Sequence, residues 1–397
     1  MADISSSPYP LVFPLAPGRA QPAVLPQHGV EIRTLARALT GMQKEALVTS
    51  SLGGLTWRMV CDEGPYLNGT DLAPFPLAFF TTGLISSYFA EILRLARIRG
   101  VQLSELEIVQ DNFYAMEGSA VRGDMIGSAL PVELNVRVDG DAPAPELRDL
   151  VALAVGRSPA DALLRGTLQS EFSITKNGLP LPARTVHPWA AAPASDLSHR
   201  AFDAAHPSAD AGFPRDIILK LTNASTLFGS EGGAGSSLRS EQKRMLHVRG
   251  TAKQRADRLV ETQVQLFKPI GSSFRFLCDP QVEGSATDLR TPPPLAYLSA
   301  GVAFCYLTQV GRYVTIMKHE LERYAIAQHT AFGFADGDAV AGTQPSVEPV
   351  RTHVEIDARL GDETIQRIVH MGERTCFLHA AARTSLNTRV NIDTGRG

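Results

Sequence analysis

The sequence predicts an α+β fold in which one module occurs twice. The chain has 397 residues, of which 44% are hydrophobic and 20% are charged, a globular composition with enough length for two domains. Short segments alternate β-branched or aromatic residues with polar ones, as half-buried strands do. A proline-started apolar segment of helical length occurs twice, which indicates an internal repeat.

The repeat is visible as two aligned stretches. WRMVCDE, which begins at Trp57, recurs as FRFLCDP from Phe274, an offset of 217. One inserted residue before Pro294 makes the offset 218, and PLAFFTTGLISSYF then aligns with PLAYLSAGVAFCYL. We interpret residues 29–178 and 245–397 as two modules, with a proline-rich arm at 1–28 and a connector or lid at 179–244.

The pattern predicts the same element order in each module. Hairpin strands are expected near 45–62 and 262–279, and a long helix over about 76–99 and 294–317 because proline suits the first helical turn. LEIVQDNFY and VELNVRVD predict two further strands, with ERYAIAQHTAF and RTHVEIDA as their counterparts. A second helix is expected to end near Ser158 in one module and near Cys376 in the other. SEFSITKNG and RVNIDTG then predict a closing strand in each module.

Composition excludes several classes of function. A net charge of −3 leaves no basic surplus for nucleic acid. Four cysteines are too few for a disulfide scaffold and fit a reducing, cytoplasmic setting. No uninterrupted apolar run reaches the length of a membrane span, and the N-terminus does not have the form of a secretory signal. The spacing of histidines and cysteines fixes no metal site, and no cofactor is predicted.

The cysteines divide into two aligned sets. Cys61 aligns with Cys278, so both modules share this position and we expect both thiols to be packing residues. Cys305 and Cys376 align with Ser87 and Ser158, and each of these pairs is 71 residues apart. Thiol chemistry is therefore expected in the second module alone.

PLAYLSAGVAFC and LGDETIQRIVHMGERTC, within this order of elements, resemble the OsmC/Ohr (osmotically inducible protein C and organic hydroperoxide resistance) family. The resemblance implies an intertwined dimer, which a fused repeat would form as a single-chain pseudo-dimer. It also implies reduction of organic hydroperoxides, with Cys305 attacking the peroxide, Cys376 resolving the product as a disulfide, and a thiol as reductant. Pro294-Leu295 stands where peroxidase members carry Asn-Pro-Glu, so another thiol-dependent reaction stays open.

Further candidates surround the two cysteines in sequence. His379 lies one helical turn after Cys376, where an imidazole can stabilise a thiolate. Arg374 is a cation next to the same thiol. Aromatic residues predict a pocket for a small apolar or aromatic substrate; these residues are Tyr297, Phe304, Tyr306 and Phe377.

Three functions follow in order of preference. The first is a thiol peroxidase with one active centre, in the second module, formed by Cys305, Cys376 and His379. The second is a cysteine-nucleophile hydrolase or lyase that uses a neighbouring histidine. The third is a non-catalytic protein that binds a hydrophobic ligand. A homodimer of pseudo-dimers is a further expectation on assembly.

Overall fold

The computed structural model describes residues 3–16, 29–51, 55–190, 199–208, 212–223, 242–280, 289–334 and 344–395. Half of the predicted arm, residues 1–2 and 17–28, and part of the predicted connector lie outside these ranges. We refer to residues 3–190 as the N-terminal half and to residues 212–395 as the C-terminal half.

The N-terminal half begins with strands, continues with a long helix, and ends with further strands and two short helices. Its strands are β1 (Val12–Pro14), β2 (Val30–Ala38), β3 (Lys44–Ser50), β4 (Thr56–Cys61), β5 (Leu103–Gly118), β6 (Ile126–Ala129), β7 (Glu133–Gly140), β8 (Glu171–Lys176), β9 (Leu179–Leu181) and β10 (His187–Pro188). Its helices are α1 (Pro76–Ile98), α2 (Ala144–Arg157) and α3 (Pro159–Arg165). The short helix α4 (His199–Asp203) lies between the halves.

The C-terminal half repeats this order of elements. Its strands are β11 (Ile218–Thr222), β12 (Gln242–Gln254), β13 (Val260–Lys268), β14 (Ser273–Cys278), β15 (Arg323–Gly333), β16 (Ser346–Val347), β17 (Arg351–Asp357) and β18 (Arg389–Asp393). Its helices are α5 (Pro294–Ile316), α6 (Asp362–Thr375) and α7 (Phe377–Arg383). The predicted hairpins, long helices, second helices and closing strands are confirmed. The described parts of the predicted connector, 179–244, contain β9, β10, α4, β11 and the start of β12.

The strands form two sheets, and each sheet takes strands from both halves. The first sheet has the order β1-β4-β3-β2-β15-β17-β8-β10, and the second has the order β11-β14-β13-β12-β5-β7-β18. The two halves exchange strands at two antiparallel junctions: β2 of the N-terminal half pairs with β15, and β12 of the C-terminal half pairs with β5. The closing strands also cross over, because β8 lies parallel to β17 and β18 lies parallel to β7.

Ion pairs reinforce the junction between β5 and β12. Asp111 of β5 accepts hydrogen bonds from Arg249 Nε (2.8 Å) and Arg249 Nη2 (2.9 Å), and lies 2.6 Å from His247 Nε2. Burial raises the pKa of Asp111, but these hydrogen bonds outweigh it and hold the pKa below its usual value. The carboxylate is therefore the stable form at this junction.

The two long helices cross between the sheets at a pair of glycines. A Cβ placed on Gly83 of α1 would lie 2.4 Å from Leu298 N, and one on Gly301 of α5 would lie 2.6 Å from Phe80 N. Any side chain at either position would meet the backbone of the other helix. Glycine is required here by this close approach, and it lets the two apolar helices pack directly on each other.

Helix α1 is long and apolar enough to cross a membrane, and it is the one candidate among the described residues. Its most apolar window is 89% buried inside the protein. This burial is typical of the core helix of a soluble protein, since a lipid-facing helix would expose its apolar surface.

Candidate active site

The C-terminal half brings Cys305 and Cys376 together. Cys305 lies on the buried face of α5, and Cys376 is the residue between α6 and α7, with an extended backbone (φ −72°, ψ 119°) that ends one helix and begins the next. Each thiol perturbs the ionisation of the other. Residues 71 positions apart in the chain thus form one thiol pair.

The two thiols differ in their readiness to ionise. Burial raises the pKa of Cys305 well above the usual range, and the neighbouring Cys376 raises it further because two adjacent thiolates repel. Burial acts in the same direction on Cys376, but a hydrogen bond from Cys305 and the proximity of His379 outweigh it. The pKa of Cys376 is therefore held well below its usual range.

His379 lies in the first turn of α7, beside Cys376. Its side chain is almost fully buried (1% exposed), and neither ring nitrogen has a well-aligned hydrogen-bond partner among the described residues. Its ring packs against those of Tyr306 and Phe172, with centroids 5.5 and 5.7 Å away. The imidazole nevertheless lies close enough to Cys376 to lower the pKa of that thiol, which favours its thiolate.

The N-terminal half supplies part of the wall around the thiols. Phe172 of β8 packs against His379 and Tyr306, with ring centroids 5.7 and 5.6 Å away. Tyr114 of β5 packs against Phe377 at 5.5 Å, and the two thiols contribute, after burial, to raising the pKa of its phenol. No sequence pattern indicated these two residues, because their position depends on strand exchange between the halves.

Strand β6 covers the junction of α6 and α7 from outside. A Cβ on Gly127 would lie 2.6 Å from the carbonyl oxygen of Thr375, so β6 and the helix end are in close contact. Arg383 donates to the carbonyl oxygens of Gly127 and Arg374, both at 3.1 Å. The thiols of Cys305 and Cys376 are 2% and 0% exposed under this cover.

Of the predicted substrate-binding residues, the structure brings Tyr306 and Phe377 to the thiols and places three others elsewhere. Tyr297 donates its hydroxyl to the carbonyl oxygen of Leu277 at 2.8 Å, beside the other buried cysteine of this half, Cys278. Phe304 packs on Phe79 of α1, with ring centroids 5.1 Å apart. Arg374 extends to the loop before β6, where its Nη2 donates to the carbonyl oxygen of Asp124 at 3.5 Å.

The equivalent position in the N-terminal half is a closed polar cluster. The hydroxyls of Ser87 and Ser158 are 2.8 Å apart. Asp161, which aligns with His379, accepts hydrogen bonds from the hydroxyls of Tyr88 (2.5 Å) and Thr388 (2.6 Å). Its polar groups satisfy one another, in contrast to the unpartnered imidazole beside Cys376.

The remaining cysteines have the surroundings of packing residues. Cys61 ends β4 and Cys278 ends β14, and both are fully buried. Burial raises the pKa of each thiol well above its usual range, which suppresses the thiolate.

In the part of the chain that the structure describes, the thiol pair lies apart from the two open grooves and from any metal-binding cluster. Among the residues that the structure describes, no group of three His, Cys, Asp or Glu side chains is arranged to hold a metal ion. Two open grooves, of about 740 and 760 Å³, lie at the ends of the long helices, and the thiols line neither of them.

Residues 286–391 match the family model described as OsmC-like protein. The matched range is about a quarter of the chain and includes Cys305, Cys376 and His379. A solved structure, an OsmC-like hydroperoxide resistance protein from Jannaschia sp. CCS1, is similar at 20% identity and covers 33% of this chain and 81% of that one, with a TM-score of 0.21. No curated protein matches the chain.

Proposed function

We propose that this protein is a thiol peroxidase that reduces an organic hydroperoxide at a single centre, formed by Cys305, Cys376 and His379. The observation that carries the proposal is the meeting of the two thiols inside the region that matches the OsmC-like family. Proteins of the OsmC/Ohr type that keep both cysteines reduce organic hydroperoxides, and the resemblance extends this activity to the present chain.

The thiol pair meets the chemical requirements of such an enzyme. One sulfur must be a thiolate to attack the peroxide, and a second thiol must lie close enough to capture the sulfenic acid before it is oxidised further. The pair lies together, and the lowered pKa of Cys376 favours a thiolate within it. A small-molecule or protein thiol would then reduce the disulfide.

The surroundings of the pair favour an apolar substrate. Tyr306 and Phe377 come from the C-terminal half, and Tyr114 and Phe172 from the N-terminal half, so aromatic rings enclose the thiols on several sides. Aromatic and apolar walls select ligands by area and shape. We infer that a bulky alkyl or aryl hydroperoxide is preferred over hydrogen peroxide.

We further propose that the chain is a fused pseudo-dimer with one active and one inactive centre. The repeated order of elements and the exchange of strands between the halves support this arrangement. Ser87 and Ser158 occupy the positions of the thiols in the N-terminal half, where no thiolate can form. The second module then performs the chemistry, and the first completes its walls.

The test is consumption of cumene hydroperoxide in the presence of a dithiol reductant. Wild type is expected to turn over, and Cys305→Ser and Cys376→Ser are each expected to lose nearly all turnover because no intramolecular disulfide can form. Ser87→Ala, at the aligned position of the other half, is the matched control and should retain activity. An inert wild type would contradict the proposal.

A second candidate is a cysteine-nucleophile hydrolase, and the unpartnered imidazole of His379 beside Cys376 favours it. A hydrolase needs one sulfur and one base, whereas a dithiol peroxidase needs both sulfurs. Activity on aryl esters that survives Cys305→Ser would therefore favour the hydrolase.

A further inference from the structure

The first and second sheets differ at the strands that close the two halves. In the first sheet, β8 lies next to β17, and its other side is covered by β9 and β10. In the second sheet, β18 lies next to β7, and no other strand of the described chain pairs with it. Of these two closing strands, β18 therefore presents a free edge, with backbone groups that can pair with another strand.

The hydrogen bonds to the neighbouring chain show which backbone groups of β18 point outward. The N–H group of Arg389 donates to the carbonyl oxygen of Val132 at 2.8 Å, so Arg389 turns its backbone groups towards β7. Successive residues of a strand turn these groups to opposite sides, so those of Val390 and Ile392 point away from β7. The outward groups of these two residues have no strand to pair with in the described part of the chain.

In β8, the corresponding edge is in use and its core-facing side chains are buried. The carbonyl oxygen of Phe172 accepts a hydrogen bond from Trp189 N at 2.7 Å, and Ile174 pairs with β9. Phe172 and Ile174 are 0% and 3% exposed. Val390 and Ile392, at the equivalent positions of β18, are half-buried. A strand placed against β18 would cover them as β9 and β10 cover β8.

The side chains of β18 form a pattern that complements itself. Val390 and Ile392 face the core, and the opposite, exposed face carries Arg389, Asn391 and Asp393. A basic residue thus begins the exposed row, an amide lies at its centre, and an acidic residue ends it. When such a strand lies antiparallel to a copy of itself about the central residue, opposite charges meet at both ends and apolar side chains meet between them.

We propose that β18 pairs antiparallel with β18 of a second copy of this chain, about a two-fold axis at Asn391. Arg389 then lies opposite Asp393 of the partner subunit, and Val390 lies opposite Ile392 of the partner subunit and exchanges both outward hydrogen bonds with it. A two-fold contact of this kind closes as a dimer and continues the second sheet across both copies. It is a specific form of the homodimer expected from the sequence, and it is independent of the proposed peroxidase function.

Charge selects this register over its neighbours. The other two-fold registers that use the same outward backbone groups are centred on Val390 or on Ile392. The first places Arg389 opposite Asn391, and the second places Asp393 opposite Asn391, so neither brings opposite charges together. Directly opposed charges of unlike sign stabilise a strand pair, so the register centred on Asn391 is the favoured one.

The local contacts of the two charged residues leave them available to a partner. Arg389 Nη1 lies 3.5 Å from Glu133 Oε1, and the Arg389 side chain is 71% exposed. Asp393 accepts a hydrogen bond from the N–H group of Gly395 at 3.0 Å and is also exposed. One short strand pair buries less surface than a permanent dimer needs, so we expect a dimer that dissociates in the micromolar range.

Sedimentation equilibrium of the full chain over about 1–100 µM measures this association. Wild type should pass from monomer to dimer across that range. Arg389→Asp and Asp393→Arg each bring like charges together at both ends of the pairing, so each alone should weaken dimerisation at least about tenfold. An equimolar mixture of these two variants should dimerise as wild type does, because opposite charges then meet across the mixed pair.

Two further variants separate the strand pairing from general effects of charge and folding. Val390→Pro removes an outward N–H group and leaves the hydrogen bonds to β7 in place, so the protein should stay folded and lose the dimer. Lys253→Asp, on β12 of the same sheet, is the control for charge. It makes the same change of charge at a side chain that is 65% exposed, and it should leave the dimer unchanged.

Three outcomes overturn the inference. Wild type that stays monomeric up to about 100 µM rules out the contact. A dimer that survives Val390→Pro, or that survives both charge reversals, uses a different surface. A mixture that stays monomeric, although each variant keeps the wild-type melting temperature, rules out the register centred on Asn391.

Discussion

The crossing of α1 and α5 makes a quantitative prediction about how the two halves hold together. Replacing Gly301 with alanine places a Cβ 2.6 Å from Phe80 N and 2.9 Å from Phe80 Cα, and both atoms belong to the backbone of the other helix. Ordinary carbon contacts lie near 3.5–4.0 Å, so the helices must move apart by roughly 1 Å. Gly83→Ala requires a similar separation of the helices, because its Cβ would lie 2.4 Å from Leu298 N.

The expected loss in the free energy of unfolding is the overpacking energy minus the gain in helix propensity. Overpacking costs up to about 3 kcal/mol, and alanine is about 1 kcal/mol better than glycine within a helix, which leaves about 2 kcal/mol. Unfolding entropy is about 2.1 cal/mol/K per residue, so for 397 residues 1 kcal/mol corresponds to a shift of about 1.2 °C. Each single substitution should lower the melting temperature by about 2–3 °C.

The double variant, with alanine at both Gly83 and Gly301, tests whether the two glycines belong to the same helix contact. Once the first alanine has separated the helices, the second meets less obstruction, so the two costs should fall short of additivity by about 1 kcal/mol. Melting temperatures from differential scanning fluorimetry, supported by urea titration, provide the measurement. Gly156→Ala in α2 is the control, because no heavy atom lies within 4 Å of the added Cβ and a small stabilisation is expected.

Two results would refute this reasoning. Single substitutions that behave like Gly156→Ala would mean that the helices do not approach as closely as described. Strict additivity in the double variant would mean that the two glycines do not share one contact.

Three further predictions concern the site and the sheet junction. Gly127→Ala should move β6 away from the end of α6 and increase the rate at which a maleimide alkylates the buried thiols by about tenfold. An unchanged rate would show that β6 does not cover the thiols. Phe172→Leu should reduce turnover of an aryl hydroperoxide several-fold, because the loss of one aromatic contact costs ~1 kcal/mol. Val390→Ala, at the equivalent position of β18, is the control and should leave turnover unchanged. Equal losses in the two variants would show that β8 has no role in the site. Asp111→Asn should destabilise the protein by about 2 kcal/mol at pH 7. Because the folded pKa of this carboxyl is lowered, its stabilising effect is present above the unfolded pKa and fades as the pH falls below about 4, so the melting temperatures of variant and wild type should converge in acid.

Local signals in the sequence were sufficient to predict the order of elements and the two long helices. Proline at the first helical turn and an unbroken apolar stretch placed α1 and α5 to within a residue, since these signals act through neighbouring residues. The alignment of Ser87 with Cys305, and of Ser158 with Cys376, also predicted that the two cysteines belong together, and the structure places them side by side. Helix periodicity could not separate the aromatic residues that face the thiols from those that face α1, and Tyr297 and Phe304 belong to the second group.

The packing around the two thiols, in contrast, could be read only from the folded chain. Phe172 and Tyr114 reach the thiols because β8 pairs with β17 and β5 pairs with β12 across the two halves, and pairing between distant strands leaves no local trace in the sequence. The ionisation of Cys376 depends on burial, on Cys305 and on His379 together. Electrostatic effects depend on distance in space and on exclusion of water, and the chain sets both only when it folds.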